Sequence, residues 1–280
     1  SATHALPAEV RCVAYAPNGQ YIVSGGFDDK ILLWDDNGNF LKEIGTQDIG
    51  TISFSTDSKK IVAVGENIDP AIVYAIPSGE KLATFTQHTD TVLASAFYGN
   101  DLIATAGGAD NDIYLWDAAS GKVKTHIVGK GKGNYAIAFD NSLNIAFGSI
   151  NQNAIVNAKS PLEKSFNFAD LVLNQQAPIE SEFRRTQTEY QGKTLEYVSD
   201  YELHITNGGT IKNHKPYDGK IRSYTSTKDG DVVVGSSFSL NLYKNDGTLL
   251  RQFIGHTGVV WAVSVSEDGR ILASASGDQT

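Results

Sequence analysis

Short apolar runs that alternate with polar residues recur along this chain, and turns containing glycine separate them. Alternation with a period of two is typical of half-buried β-strands, and Asn-Gly or Asp-Gly pairs favour tight hairpin turns. In the first stretch the pattern predicts four strands, at residues 10–16, 20–25, 30–35 and 39–45. Turn pairs lie at Asn18-Gly19, Asn37-Gly38, Asp229-Gly230 and Asp268-Gly269. The composition agrees, with 27 Gly against 7 Pro and with 12 Tyr and 12 Phe among 280 residues.

The pattern also repeats at a longer period. Residues 13–26 align position for position with residues 263–276, and residues 102–108 match the second half of both. The aromatic residue that closes the third strand recurs at Trp34, Tyr74 and Trp116, with Asn157 in the next place, in steps of 40, 42 and 41. Asn157 and Tyr243 are 86 residues apart, or two steps of 43. A repeat of this length predicts an array of similar β units rather than one irregular domain.

Seven units account for the chain as one domain, 1–280. Each unit has two apolar faces, so it is stable only when it packs between neighbours, and radial closure is the usual solution for antiparallel units of this size. The units are predicted near residues 4–47, 48–87, 88–129, 130–174, 175–215, 216–255 and 256–280, the last one incomplete.

These units resemble the WD-repeat family, whose pattern is a Gly-His before the first strand, a Ser or Thr in the second, an Asp in the next turn and a Trp that closes the third. The matching residues are His4, Ser24, Asp28 and Trp34 in unit one, His88, Thr105, Asp110 and Trp116 in unit three, and His256, Ser274 and Asp278 in unit seven. The resemblance implies an all-β fold, a seven-bladed β-propeller of four-stranded antiparallel blades in which these residues form a structural tetrad.

A hydrolase is the competing interpretation of the same residues, because His256, Ser274 and Asp278 are the residue types of a nucleophilic triad. Catalysis needs one such set at one cleft, whereas this set recurs in three units. We therefore predict a repeated polar network that fixes each blade, no catalytic residue and no enzymatic activity.

Several units depart from the pattern. Tyr74, Asn157 and Tyr243 replace the Trp, and residues 161–200 fit worst, so we expect an insertion there and a short helix or long loop at 180–190. Unit seven reaches residue 280 with two strands still to come, and the chain begins with Ser1 rather than Met. We expect a longer parent chain that continues past Thr280 with a strand resembling the Trp-Asp strands.

The net charge of −9 and the pI near 5.1 are unfavourable for nucleic-acid binding and for an anionic membrane surface. The single cysteine, Cys12, allows no internal disulfide and favours a reducing, cytoplasmic location. His204 and His214 are too far apart for a helical zinc pair, and the run 35–39 predicts a turn rather than a calcium loop. We predict neither a metal nor a cofactor.

The resemblance also points to a binding face. By family geometry, the residue two positions before the central residue of each first strand lies near the top face of the propeller, where partners bind. These residues are Arg11, Leu93, Tyr135, Arg222 and Trp261. Arg, Tyr and Trp are enriched at interaction hot spots, although the same residues would also serve simply to cap the blade edges.

The resulting prediction is a non-catalytic scaffold that binds a protein or peptide on its top face or rim, within a larger chain. The first alternative is a sensor propeller fused to an effector or caspase-like protease domain, as the resemblance allows. A propeller enzyme acting at the central channel and a propeller that only mediates dimerisation are further alternatives. The oligomeric state stays open.

Overall fold

The described part of the molecule is built from strands. The computed structural model describes residues 8–65, 69–108, 110–129, 133–148, 164–167, 172–174, 195–205, 208–213, 218–266 and 268–280. Across these ranges there are 25 strands in seven antiparallel sheets. The same ranges contain no helix that is long and apolar enough to cross a lipid bilayer. The all-β class predicted from the alternation is confirmed.

The first three sheets each have four strands that pair in chain order. Sheet one contains β1 (Val10–Tyr15), β2 (Tyr21–Gly26), β3 (Ile31–Asp35) and β4 (Phe40–Gly45). Sheet two contains β5 (Thr51–Phe54), β6 (Lys60–Val64), β7 (Ala71–Ala75) and β8 (Lys81–Phe85). Sheet three contains β9 (Val92–Tyr98), β10 (Leu102–Gly107), β11 (Ile113–Asp117) and β12 (Val123–Ile127).

The remaining sheets differ in strand number across the described residues. Sheet four contains β13 (Ala136–Phe139), β14 (Ile145–Gly148), β15 (Lys164–Asn167) and β16 (Val172–Asn174). Sheet five contains β17 (Leu195–Ser199), β18 (Glu202–Ile205) and β19 (Thr210–Lys212). Sheet six contains β20 (Ile221–Ser226), β21 (Val232–Ser236), β22 (Leu240–Tyr243) and β23 (Leu249–Phe253), and sheet seven contains β24 (Val260–Val265) and β25 (Leu272–Ser276).

The first strands of the sheets pack side by side around a common centre. In order of contact these strands are β20, β24, β1, β5, β9 and β13, and sheet five packs on sheet six through Leu203, Ile211 and Tyr224. Buried residues of adjacent sheets interlock, as Val23 and Leu33 of sheet one do with Ile52 and Ile61 of sheet two. The arrangement is that of a β-propeller, and its incomplete last blade is sheet seven, with two strands in the described residues.

The last sheet joins the first. β24 and β25 both pack against β1, and the backbone N–H of Tyr15 donates a 3.2 Å hydrogen bond to Ser264 Oγ across this junction. Residues 249 positions apart in the chain are thereby linked. This junction places the start of β1 beside the start of β24, which determines the geometry of the top face.

The turn predictions are confirmed at four places. Gly19, Gly38, Gly230 and Gly269 all have positive φ, between 73° and 81°, which is the left-handed conformation that glycine adopts without a steric penalty. Part of the region 161–200 forms β15, β16 and β17, whereas the helix or loop expected at 180–190 lies outside the described residues. The predicted unit limits stay predictions.

Candidate functional site

The polar network of sheet three is complete in the structure. His88, in the connection before β9, lies with Nδ1 3.1 Å from Asp110 Oδ2 and with Nε2 2.9 Å from Thr105 Oγ1. Trp116 Nε1 donates to the same Thr105 oxygen at 3.1 Å, and the N–H of Thr89 donates to Asp110 at 3.0 Å. The four predicted residues therefore connect the loop before the sheet with its second and third strands.

Burial determines the electrostatics of this network. Desolvation lowers the pKa of His88 below the ordinary 6.5, while the adjacent carboxylate of Asp110 acts in the opposite direction and only partly offsets it. The folded protein consequently favours a neutral imidazole at this position. A neutral, buried imidazole with both nitrogens engaged is suited to holding strands together.

Sheet seven repeats the arrangement with three residues. His256 Nδ1 lies 3.1 Å from Asp278 Oδ2, and Nε2 lies 2.8 Å from Ser274 Oγ. Burial would raise the pKa of Asp278, but hydrogen bonds from the Thr280 hydroxyl and the Thr257 N–H, with the nearby His256, lower it to about 2. The carboxylate is thus held ionised by donors of its own blade.

Sheet one shows the second half of the network. Trp34 Nε1 donates a 2.8 Å hydrogen bond to Ser24 Oγ, and the N–H of Lys30 donates to Asp28 Oδ1 at 3.3 Å. Asp28 Oδ2 is buried and accepts no hydrogen bond in the described structure. His4, which we predicted as the partner of Asp28, lies outside the described residues.

The sheets without the repeated Trp use other buried contacts. The ring of Tyr74 occupies the space beside Gly45, where a Cβ atom would lie 2.7 Å from Tyr74 Cζ. In sheet six, Asn213 Nδ2 donates to Ser236 Oγ at 2.6 Å and links the preceding loop to the end of β21. Sequence reasoning missed Asn213, because its link occurs at a spacing that the other units do not share.

Three of the five predicted partner-binding residues meet on the top face, the surface at which the first strands begin. The guanidinium carbon of Arg11 lies 4.7 Å from the ring centroid of Trp261, and that of Arg222 lies 5.5 Å from the same ring. Arg11 also lies 4.7 Å from the ring of Phe27. Sheets six, seven and one are therefore bridged at this face by alternating guanidinium and aromatic groups.

The other two predicted residues lie elsewhere on the same side of the blades. Leu93 is the second residue of β9 and lies near Gly108, at the end of the neighbouring strand. Tyr135 precedes β13, and its N–H donates to the carbonyl of Gly148 at 2.9 Å. Neither residue takes part in the stack on Trp261.

Two exposed phenylalanines near the stack were missed from the sequence: Phe27, whose ring contacts Arg11, and Phe238, which follows Ser237, the residue whose hydroxyl accepts from Arg222. Phe27 is 41% exposed and Phe238 is 64% exposed. Each lies just after the second strand of its sheet and is held by a backbone hydrogen bond to the segment before the first strand. The N–H of Phe27 donates to the carbonyl of Glu9 at 3.1 Å, and the N–H of Phe238 donates to that of Asp218 at 3.1 Å. An exposed aromatic residue directly after the second strand was the signal that could have identified them. Together, Phe27, Arg11, Trp261, Arg222 and Phe238 form what we call the Arg-Trp strip.

A group of carboxylates lies on the same side of the propeller between sheets one and two. Burial raises the pKa of Asp48, and the neighbouring carboxylates of Asp29 and Asp69 raise it further. The top face thus carries two guanidinium groups and the carboxylate of Glu9 over sheets six, seven and one, and a group of carboxylates where sheet one meets sheet two.

The model of the family described as "WD domain, G-beta repeat" matches residues 2–35, 79–117 and 247–280. These segments contain the residues of the three polar networks described above. These three segments are WD repeats, and the fold is a β-propeller. Similar proteins include "Pre-mRNA-processing factor 19 homolog 2" of Arabidopsis thaliana, 27% identical over 79% of this chain, and "WD repeat-containing protein WDS homolog" of the same plant, 25% identical over 97%. "Telomerase protein component 1" of Mus musculus is 30% identical over 41%.

The WD-repeat chain spans only part of these relatives. The aligned region covers 35% of the pre-mRNA-processing factor homologue, 54% of the WDS homologue and 4% of the telomerase component. Across its described residues, the propeller has no group of three or more His, Cys, Asp or Glu side chains arranged to hold a metal ion.

Proposed function

We propose that this WD-repeat chain is a non-catalytic interaction scaffold that binds a protein or peptide on its top face. WD-repeat propellers generally bind protein partners and generally act without catalysis, and the chain shares their repeats. The proposed contact residues are those predicted from the sequence together with Phe27 and Phe238. Leu93 and Tyr135 belong to the proposed surface as its outlying members.

The observation that carries this proposal is the Arg-Trp strip. Trp and Arg are the residues most enriched at interaction hot spots, and Phe is enriched at interface cores. Here they are concentrated at one edge of the top face, with two phenylalanine rings substantially exposed. Exposed aromatic rings grouped with arginines on one face are a feature of interaction sites rather than of an inert surface.

The polar networks support the non-catalytic part of the proposal. His88, Asp110 and Thr105 hydrogen-bond one another, and Trp116 adds a further donor to Thr105. The same set occurs again in sheet seven around His256. A group repeated in equivalent places and engaged by its own blade fits a structural role.

The alternative is a sensor propeller within a larger protein that also carries an effector or caspase-like protease domain. It is favoured by one observation, that the similar proteins extend well beyond the aligned region. In that case the same top face would bind the signal rather than a permanent partner. The sequence of the parent gene beyond these residues would decide between the two.

Selection from a displayed random peptide library tests the scaffold proposal. Peptides selected on the wild-type chain are then measured against the double variant Phe27→Ser/Phe238→Ser and against Phe40→Ser. Phe40 is a matched control because it is an exposed phenylalanine on the outer strand β4 rather than on the top face. We expect the selected peptides to lose at least about tenfold in affinity for the double variant only, which corresponds to about 1.4 kcal/mol. Equal binding to all three proteins would overturn the proposal.

We also propose a reducing, cytoplasmic compartment, on the ground that the sequence has a single cysteine, Cys12, which is buried and can form no disulfide within the chain. Imaging of a fluorescent fusion of the complete parent protein tests this proposal. Secretion or retention in an oxidising compartment would overturn it.

A further inference from the structure

We infer that the Arg-Trp strip recognises a short acidic segment of a partner, in which Asp or Glu residues alternate with apolar ones. The inference rests on the proposed function and adds the chemistry of the partner to it. The chain has six arginines, and two of them, Arg11 and Arg222, stack on the single ring of Trp261 although they come from different sheets. Two guanidinium groups are thereby concentrated at one place on a protein with a net charge of −9, and Glu9 pairs with one of them, Arg11, at 3.4 Å.

The stacking geometry suits recognition of carboxylates. A guanidinium stacks through its flat face and donates hydrogen bonds in its own plane, so stacking on Trp261 does not compete with binding a carboxylate. Stacking also restricts the rotation of a long side chain before any ligand arrives, which reduces the entropy lost on binding. Arg222 is further oriented by a hydrogen bond from Nε to Ser237 Oγ at 3.4 Å.

The aromatic residues of the strip would bind the apolar positions of such a segment. Phe27 and Phe238 lie at the two ends, one after β2 and the other after β21, and both expose their rings. A segment that alternates acidic and apolar residues presents both kinds of group at short intervals. It would therefore place carboxylates at the arginines and apolar side chains at the phenylalanines.

Charge complementarity also favours a short acidic peptide over a nucleic acid. Glu9 Oε1 lies 3.4 Å from Arg11 Nη1, and Asp29, Asp48 and Asp69 lie on the same face where sheets one and two meet. A long polyanion that crossed the face would meet these carboxylates. A short segment over sheets six, seven and one would face only Glu9 among these four carboxylates, and Arg11 already pairs with Glu9.

The test uses fluorescence anisotropy with the wild-type chain and four labelled probes of similar length. The first is a peptide in which Glu alternates with Leu, the second has Gln in place of every Glu, the third has Lys in those places, and the fourth is an oligothymidine. We expect the Glu peptide to bind at least about tenfold more tightly than the Gln peptide and to weaken as salt rises from about 50 to 200 mM. The comparison of peptides uses unaltered protein, so it does not depend on the folding of any variant.

Protein variants locate the binding. Arg11→Gln/Arg222→Gln should lose at least about tenfold in affinity for the Glu peptide, whereas Arg251→Gln should bind as the wild type does. Arg251 is a matched control because its guanidinium lies 5.0 Å from the ring of Phe253 on the outer strand β23, away from the top face. Thermal unfolding of both variants shows whether the folded state is retained.

The outcomes separate the inference from the function on which it rests. If the Gln or Lys peptide binds as tightly as the Glu peptide, the acidic specificity is wrong. If Arg251→Gln loses as much affinity as the double variant, the Arg-Trp strip is not the binding site. If oligothymidine binds more tightly than the Glu peptide, a nucleic acid replaces the acidic segment as the partner. Library peptides that need Phe27 and Phe238 but lack Asp and Glu would overturn this inference and leave the scaffold proposal intact.

Discussion

Trp116 Nε1 donates a 3.1 Å hydrogen bond to Thr105 Oγ1, and the same hydroxyl lies 2.9 Å from His88 Nε2. The direction of the bonds around His88 is decided at its other nitrogen, because a carboxylate can only accept and Asp110 Oδ2 lies 3.1 Å from Nδ1. A neutral imidazole with its proton on Nδ1 accepts at Nε2, and the single hydrogen of Thr105 is available to donate there. His88 then donates from Nδ1 to Asp110, and every member of the network is satisfied.

Thr105→Val tests this network directly. Valine keeps the shape of the side chain but leaves both the Trp116 N–H and His88 Nε2 without a partner, so we expect a loss of about 1–3 kcal/mol for each buried group left unsatisfied. Thr84→Val is the matched control, because Thr84 is exposed on the outer strand β8. Urea unfolding of the two variants provides the measurement. Equal stabilities would show that the hydroxyl of Thr105 contributes nothing to the fold.

The lowered pKa of His88 predicts how stability depends on pH. The unfolded state binds a proton at a pKa of about 6.5, whereas the folded state resists protonation of the buried ring. Stability is therefore full above pH 6.5 and falls as the pH decreases below it, until the folded-state pKa is reached. In His88→Gln this part of the pH dependence should be absent. The stability difference between wild type and variant, measured by urea unfolding between pH 7 and 5, should therefore shrink toward pH 5.

Asp278 affects the stability of the protein over a separate, lower range of pH. Its pKa is lowered from the ordinary 3.8 to about 2, so its contribution to stability is present above pH 3.8 and is lost as the pH falls toward 2. The interval between pH 7 and 5 is thus free of this effect. Parallel curves for wild type and His88→Gln across that interval would contradict the prediction for His88.

The repeated features of the fold could be predicted from the sequence because each is encoded several times. The all-β propeller, the four glycine turns and the spacing of His88, Thr105, Asp110 and Trp116 all follow from aligning the units. The link from Asn213 to Ser236 and the exposed rings of Phe27 and Phe238 could not be found in this way. Each depends on a contact made at particular places in the ring, and alignment of units reveals only what they share.

Close backbone contacts are a second kind of feature that the repeat alone did not reveal. A Cβ atom on Gly26 would lie 2.0 Å from the carbonyl oxygen of Glu9, and one on Gly25 would lie 2.1 Å from Ile49 Cδ1. The distances are nearly equal, but the obstacles differ. The Cδ1 and Cγ1 atoms of Ile49 move by rotation of its side chain, whereas a backbone carbonyl moves only with its strand.

We therefore expect Gly26→Ala to destabilise the protein more than Gly25→Ala. Rotating Ile49 out of its preferred rotamer costs about 1 kcal/mol, while displacing the backbone at Glu9 should cost about 3 kcal/mol. Urea unfolding of both variants measures the difference. A larger loss for Gly25→Ala would mean that the packing around Ile49 is more rigid than the junction between β2 and the residue before β1.

The stack between Arg11 and Trp261 should also stabilise the closure of the ring, because it joins sheet one to sheet seven. A double-mutant cycle with Arg11→Gln and Trp261→Leu isolates this contact. Replacing Arg11 also removes its ion pair with Glu9, and replacing Trp261 also removes its stack with Arg222. Each of these losses occurs in one single variant and again in the double variant, so it cancels in the cycle. We expect a coupling of about 0.5–1 kcal/mol from urea unfolding. The Arg251→Gln/Phe253→Leu cycle provides the comparison, because that pair lies within a single strand on the rim and joins no sheets. A coupling free energy near zero between Arg11 and Trp261 would contradict this prediction. It would show that the stack orients the guanidinium of Arg11 without stabilising the closure of the ring.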